Sequence, residues 1–180
     1  GHFDGHDISQ GAMDDASGAC VVMEVARALA KFSGQFKRSL RFICFAAEEM
    51  GVTGSTAYVA KHQAEMEKVD LMINCDGAGR VNRHRFSVSG PLELIKCFEA
   101  IAEEMGYPMN VRTSVSTASD HWPFYMQRVP AVSYASTADP VVAAMVAAQG
   151  RGFGHTSADT VDKVDHRGLK EAAMVLAQFL

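Results

Sequence analysis

The stretches LRFICFAAEE (40–49) and LMINCD (71–76) decide the fold. Each opens as a short run rich in β-branched, aromatic and aliphatic residues that is apolar on both faces, the pattern of a strand buried in a parallel sheet. Each then stops at acidic residues: Glu48 and Glu49 in the first, Asp76 in the second.

Helical patterns lie on either side. STAYVAKHQ (55–63) reads as a helix between the two strands. ACVVMEVARALAKF (19–32) sets Val22, Val25, Ala26, Leu29 and Phe32 on one face, with Ser17 as its cap and Gly34 as its stop. RFSVS (85–89) predicts a further strand. GPLELIKCFEAIAEEMG (90–106) has Pro91 at its start, Leu94, Phe98, Ile101 and Met105 on one stripe, and Gly106 as terminator. VRTSV (111–115) and AVSYA (131–135) are strands flanking a short helix from Asp120 to Met126. DPVVAAMVAAQG (139–150) and DHRGLKEAAMVLAQFL (165–180) are helices. Alternating strands and helices predict an α/β fold with a largely parallel central sheet covered on both faces. In such sheets ligands sit in the loops at the carboxyl ends of the strands.

With 180 residues, 48% of them hydrophobic, the chain is the size of one domain with a sizeable core. A net charge of −4 with scattered Lys and Arg gives no basic field for nucleic acid or an anionic membrane. No apolar run reaches the ~20 residues that span a bilayer. Cys20, Cys44, Cys75 and Cys97 lack CxxC spacing, and each lies in an apolar run expected to bury a free thiol.

The polar clusters fall at the predicted strand ends. GHFDGHDISQGAMDDASG (1–18) is rich in His and Asp, Glu48-Glu49 follows one strand, Asp76 another, and His155 lies in the connection after 131–135. Two imidazoles and several carboxylates form a nitrogen and oxygen ligand set suited to zinc, cobalt or manganese. In His2-Phe3-Asp4 the carboxylate can accept the second imidazole N–H, which fixes the tautomer. Asp14-Asp15 sets two carboxylates side by side, one able to bridge two cations. Glu48-Glu49 allows one carboxylate to ligate while its neighbour serves as general base. Glu103-Glu104, by contrast, reads as a solvated helix face.

Six segments in order, GHFD (1–4), GAMDDASG (11–18), FAAEEMGVTGS (45–55), INCDGAG (73–79), SDHWPF (119–124) and GHTSADTVDKV (154–164), resemble the zinc-dependent exopeptidases of peptidase family M28. The resemblance spans nearly the whole chain and implies a three-layer α/β/α sandwich with a mixed, largely parallel central sheet. It implies two Zn2+ ions per chain, with Co2+ or Mn2+ as alternatives. His2 and Asp76 would hold one ion, Glu49 and His155 the other, and Asp14 would bridge both across a cis Asp14–Asp15 bond. Glu48 would be the general base and then the general acid, and Asp4 would orient His2. Asp15, Asp120 and His121 would stand behind these groups.

Some relatives carry a tyrosine shortly before the SD pair, where this chain has Ser116. His121 is a candidate oxyanion partner in its place, with a structural role in the pocket wall as the alternative. Met145 and Phe153 could line a specificity pocket, and Arg80 and Arg151 could receive a substrate carboxylate. His6, His62, His84 and His166 are expected at the surface. In this fold the GHxD loop follows a strand, so the expectation is an incomplete single catalytic domain (1–180) without its N-terminal strands. The expected activity is that of an aminopeptidase acting on peptides, exported to the periplasm or the extracellular space. A carboxypeptidase or dipeptidase of the same fold, a single-zinc glutaminyl cyclase and a receptor-like relative without metals are the alternatives; the oligomeric state is open.

Overall fold

The computed structural model describes residues 1–107, 109–137 and 153–180. Four strands, β1 (Met72–Cys75), β2 (His84–Ser89), β3 (Met109–Thr113) and β4 (Ala131–Ser136), form one sheet in the order β1-β4-β2-β3. β1 runs parallel to β4 and β2 parallel to β3, while β2 and β4 are antiparallel. The sheet is therefore mixed, as the family resemblance implies, where the strand and helix pattern alone predicts a largely parallel one. The antiparallel step also brings the start of β2 to the carboxyl end of β4.

Helices cover both faces. On one side α1 (Ser17–Leu29), α3 (Leu92–Met105) and α5 (His166–Gln178) enclose a core of Val21, Val25, Phe86, Phe98, Tyr134 and Phe179. The rings of Phe98 and Phe179 stack at 4.4 Å, with Phe86 against both. On the other side α2 (Thr53–Lys61) and α4 (His121–Met126) close over a smaller core of Phe45, Val59, Met66, Phe124 and Val129. Gly106, at φ +64°, ends α3 in the left-handed conformation that its sequence position predicts.

Segment 40–46 departs from expectation. Phe42 packs on the larger core while Ile43 and Phe45 enter the smaller one, as in a strand buried on both faces. Its pairing among the described residues is a single parallel bridge between His2 and Phe45, closed by Phe45 N–H to Gly1 O (2.9 Å) and Phe3 N–H to Phe45 O (3.0 Å). From Asp4 onward the chain turns away into a polar loop, so the pairing does not continue past Phe3.

Smaller corrections follow the same lines. Ser17 does not cap α1; its hydroxyl donates to Met13 O and accepts Ala78 N–H, tying the helix to the loop after β1. The inward face of α1 is Val21 and Val25, with Val22 and Leu29 beside them, whereas Phe32 is exposed. All four cysteines are free, but Cys20 and Cys97 are exposed and Cys44 is half-buried, so Cys75 alone is a buried thiol. Cys20 and Cys97 sit on the outward faces of amphipathic helices, which an apolar run does not reveal. His84 is buried rather than at the surface, with Nδ1 2.8 Å from the Tyr134 hydroxyl. The predicted helix 139–150 lies outside the described residues.

Candidate metal centre

Six side chains from four loops converge at the carboxyl ends of the strands. His2 Nε2 lies 3.4 Å from Asp14 Oδ1, 3.8 Å from Glu48 Oε2 and 3.9 Å from Asp76 Oδ1. His155 Nε2 lies 3.1 Å from Asp14 Oδ2 and 3.0 Å from Glu49 Oε2. These contacts form two donor groups, His2, Asp14 and Asp76, and Asp14, Glu49 and His155. Asp14 belongs to both, offering one carboxylate oxygen to each.

The donor set fits cations better than it fits its own protons. His2 Nε2 and Glu49 Oε1 are buried without a hydrogen-bond partner among the described residues. Leaving such atoms unsatisfied costs about 1–3 kcal/mol each. Two imidazoles and a cluster of carboxylates match the ligand preferences of zinc. The protons respond to this crowding. Burial opposes a charge on His2, yet the surrounding carboxylates of Asp14, Asp15, Asp76 and Glu48 raise its pKa to about 10. Burial raises Glu48 to about 7, in the range of a general base working near neutrality.

Local structure explains how each group is held. His2 Nδ1 lies 3.1 Å from Asp4 O and 3.4 Å from Asp4 Oδ1, so a proton on Nδ1 leaves Nε2 facing the other donors. The Asp4 carboxylate also accepts the N–H groups of Glu48 and Glu49, both at 3.2 Å. Asp4 therefore positions two loops, not only the imidazole. Asp15, joined to Asp14 by a cis peptide bond, is fully buried and accepts N–H groups from His2, Gly18 and Gly77. Gly18 permits this: a Cβ there would lie 2.3 Å from both Asp15 Oδ1 and Cys75 O.

Two positioning groups escaped the sequence reading. Asp159 is fully buried and accepts Met13 N–H (2.8 Å) and Asp14 N–H (3.1 Å), fixing the turn that presents Asp14. Ser119 donates to Asp76 Oδ2 and accepts from Asn74 Nδ2. Asp159 lies within GHTSADTVDKV and Ser119 opens SDHWPF, so both stand in motifs already singled out, without a chemistry that distinguishes them.

The remaining candidates are dispersed. Asp120 and His121 are buried at the start of α4; burial holds the Asp120 carboxyl above and the His121 imidazole below its ordinary value. His6, expected to be an ordinary surface residue, is exposed but stacks on the His155 ring at 4.8 Å. His62 is half-buried, 2.8 Å from Glu65 and stacked on Tyr58, and His166 is exposed as expected. Phe153 lies under Lys163, whose Nζ is 5.6 Å from the ring centroid. Met145 and Arg151 lie outside the described residues. No helix among the described residues is long and apolar enough to cross a membrane.

Known proteins resemble this chain over most of its length. The chain is 31% identical over 166 residues to leupeptin-inactivating enzyme 1 of Streptomyces exfoliatus, covering 92% of this chain and 37% of that protein. It is 29% identical over 178 residues to carboxypeptidase Q of Bos taurus, covering 98% and 36%. Its fold superposes on BSAP, a zinc aminopeptidase from Bacillus subtilis, with a TM-score of 0.77 and 25% identity, covering 99% of this chain and 44% of that one. The chain thus spans a little over a third of these curated relatives. The model of peptidase family M28 matches residues 1–180, and the chain belongs to that family.

Proposed function

We propose that the protein is a metal-dependent aminopeptidase that hydrolyses peptide bonds at a two-zinc centre. The observation that carries this reading is the pair of donor groups sharing Asp14, with the Glu48 carboxylate beside them. His2, Asp14 and Asp76 would hold one ion, and Asp14, Glu49 and His155 the other. Bound there, the ions would supply Lewis acidity for the scissile carbonyl and lower the pKa of the attacking water.

The chain's own groups supply the rest. Glu48, raised to about 7, accepts the proton of the attacking water and returns it to the leaving amine. Asp4 holds the Glu48 and Glu49 main chain, and Asp159 holds that of Asp14, so the donors need not reorganise as the reaction proceeds. The names of the similar proteins support peptide substrates, and zinc is named for the Bacillus enzyme.

Glu48→Gln keeps the shape of the side chain and removes the base. The expected result is a loss of about a thousandfold in kcat with metal content unchanged. Activity within tenfold of the parent would overturn the assignment of the base. Metal-edge anomalous density should show two ions between the five donors, and one ion at saturating zinc would refute the two-metal centre. Hydrolysis of aminoacyl anilides, rather than of N-blocked dipeptides alone, distinguishes an aminopeptidase from a carboxypeptidase or dipeptidase.

A further inference from the structure

The sheet register sets a second polar feature beside the metal centre. Cys75, Tyr134 and Phe86 lie side by side across β1, β4 and β2 and face the larger core. The next residues in the same register are Ala135, Arg85 and Asn110, and Asp76 directly follows Cys75 at the end of β1, its N–H donating to Tyr134 O at 3.0 Å. Side chains alternate along a strand, so this second row faces away from that core. Arg85 thus shares a face with Asp76, two strands away, about 10 Å at the usual strand spacing.

The following row on that face is Asn74, Ser133, Ser87 and Arg112, with Arg112 Nε donating to Ser87 Oγ at 3.2 Å. Along β2 the residues on this side are Arg85, Ser87 and Ser89, a polar strip where the opposite side carries Phe86 and Val88. Arg85 is half-buried, and its Nε is buried without a hydrogen-bond partner among the described residues. The charges acting on it are the like charge of Arg112 and the opposite charge of Asp76. An Asp76 carboxylate committed to a cation no longer offsets the two guanidiniums.

We propose that Arg85, with Arg112 beside it, forms a subsite for a carboxylate carried by the substrate on a residue adjoining the scissile bond. The proposal rests on the peptidase reading of the neighbouring centre. A guanidinium with an unpaired buried N–H is suited to a planar carboxylate. Two sources carry that chemistry: the free C-terminus of a dipeptide, and an acidic side chain within a longer peptide. The sequence offered Arg80 and Arg151 for this role; Arg80 lies in the loop after β1, and Arg151 lies outside the described residues.

The test compares matched peptides. Leucyl-leucine against its C-terminal amide isolates the terminal carboxylate; leucyl-glutamic acid α-amide against leucyl-glutamine amide isolates the side chain. The metal-loaded protein should prefer the charged member of one pair by about tenfold in kcat/KM, chiefly through KM, and the responding pair identifies the source. Arg85→Gln should bring that ratio to within about twofold, Arg112→Gln should lower it in part, and Arg85→Lys should restore some of it. Calorimetric binding of the same peptides to Glu48→Gln protein should show the same preference without turnover. Ratios near one in both pairs, or a ratio that survives Arg85→Gln, would overturn the subsite. Absence of all hydrolysis by the parent protein would instead overturn the peptidase reading, and the binding titration would still decide the role of Arg85.

Discussion

Asp159 touches no other donor of the centre, yet it satisfies two main-chain N–H groups on the turn that carries Asp14. Asp159→Ala would leave both unpaired in a buried position, an expected cost of roughly 2–5 kcal/mol measurable by urea unfolding. Asp159→Asn keeps one acceptor and should be milder. Protonation gives another prediction at this scale. His2, raised from 6.5 to about 10, contributes stability to the metal-free protein that is full below pH 6.5 and lost as pH rises through 10. Glu48, raised from 4.5 to about 7, contributes in the same sense below 4.5 and loses it through 7. Ligation needs neutral imidazole, so zinc binding at pH 7 should release at least about one proton from His2. Calorimetry in buffers of different ionisation enthalpy measures this; heats independent of buffer would contradict it. The ligand candidates were legible because His, Asp and Glu carry their chemistry in their names. Asp159 and Arg85 were not, since one acts through main-chain amides and the other through register, neither of which is visible in residue type.

Among the elements, the loop geometry depends on close approach rather than on side-chain mass. Gly18 at the start of α1 lies against Cys75 O and the Asp15 carboxylate, so Gly18→Ala must push apart two of the loops that carry donors. The expected cost is about 1–3 kcal/mol with weaker metal retention, checked by thermal unfolding and metal analysis together. The helices were legible from their 3.6-residue stripes: α3 runs Leu92–Met105 with Phe98 buried, close to the 90–106 expected. Strand 40–46 was legible in composition but not in pairing, because a ladder depends on a neighbour as well as on the run itself. Val22, Val25 and Leu29 of α1 face the core as expected, whereas Phe32, Cys20 and Cys97 were misjudged for a related reason. An apolar stretch does not say which of its sides the sheet will cover.

For the whole molecule, the mixed sheet brings the site together from loops far apart in sequence, and the cations would tie those loops. Removing zinc with a chelator should lower the melting temperature by roughly 10 °C, since ligand held at about a thousand times its Kd contributes about 4 kcal/mol. An unchanged melting temperature would mean that the loops are held without metal. The α/β class followed from the alternation of strands and helices, whereas the strand order and the antiparallel β2–β4 pair did not, because topology is set by long-range pairing. The distance in sequence between His2 and His155 has a biosynthetic consequence. Until the chain has been made through His155 and the sheet between them has closed, the two donor groups cannot share Asp14. A peptidase centre of the kind proposed would therefore arise only with the finished fold, and a nascent copy would have no centre with which to act on itself.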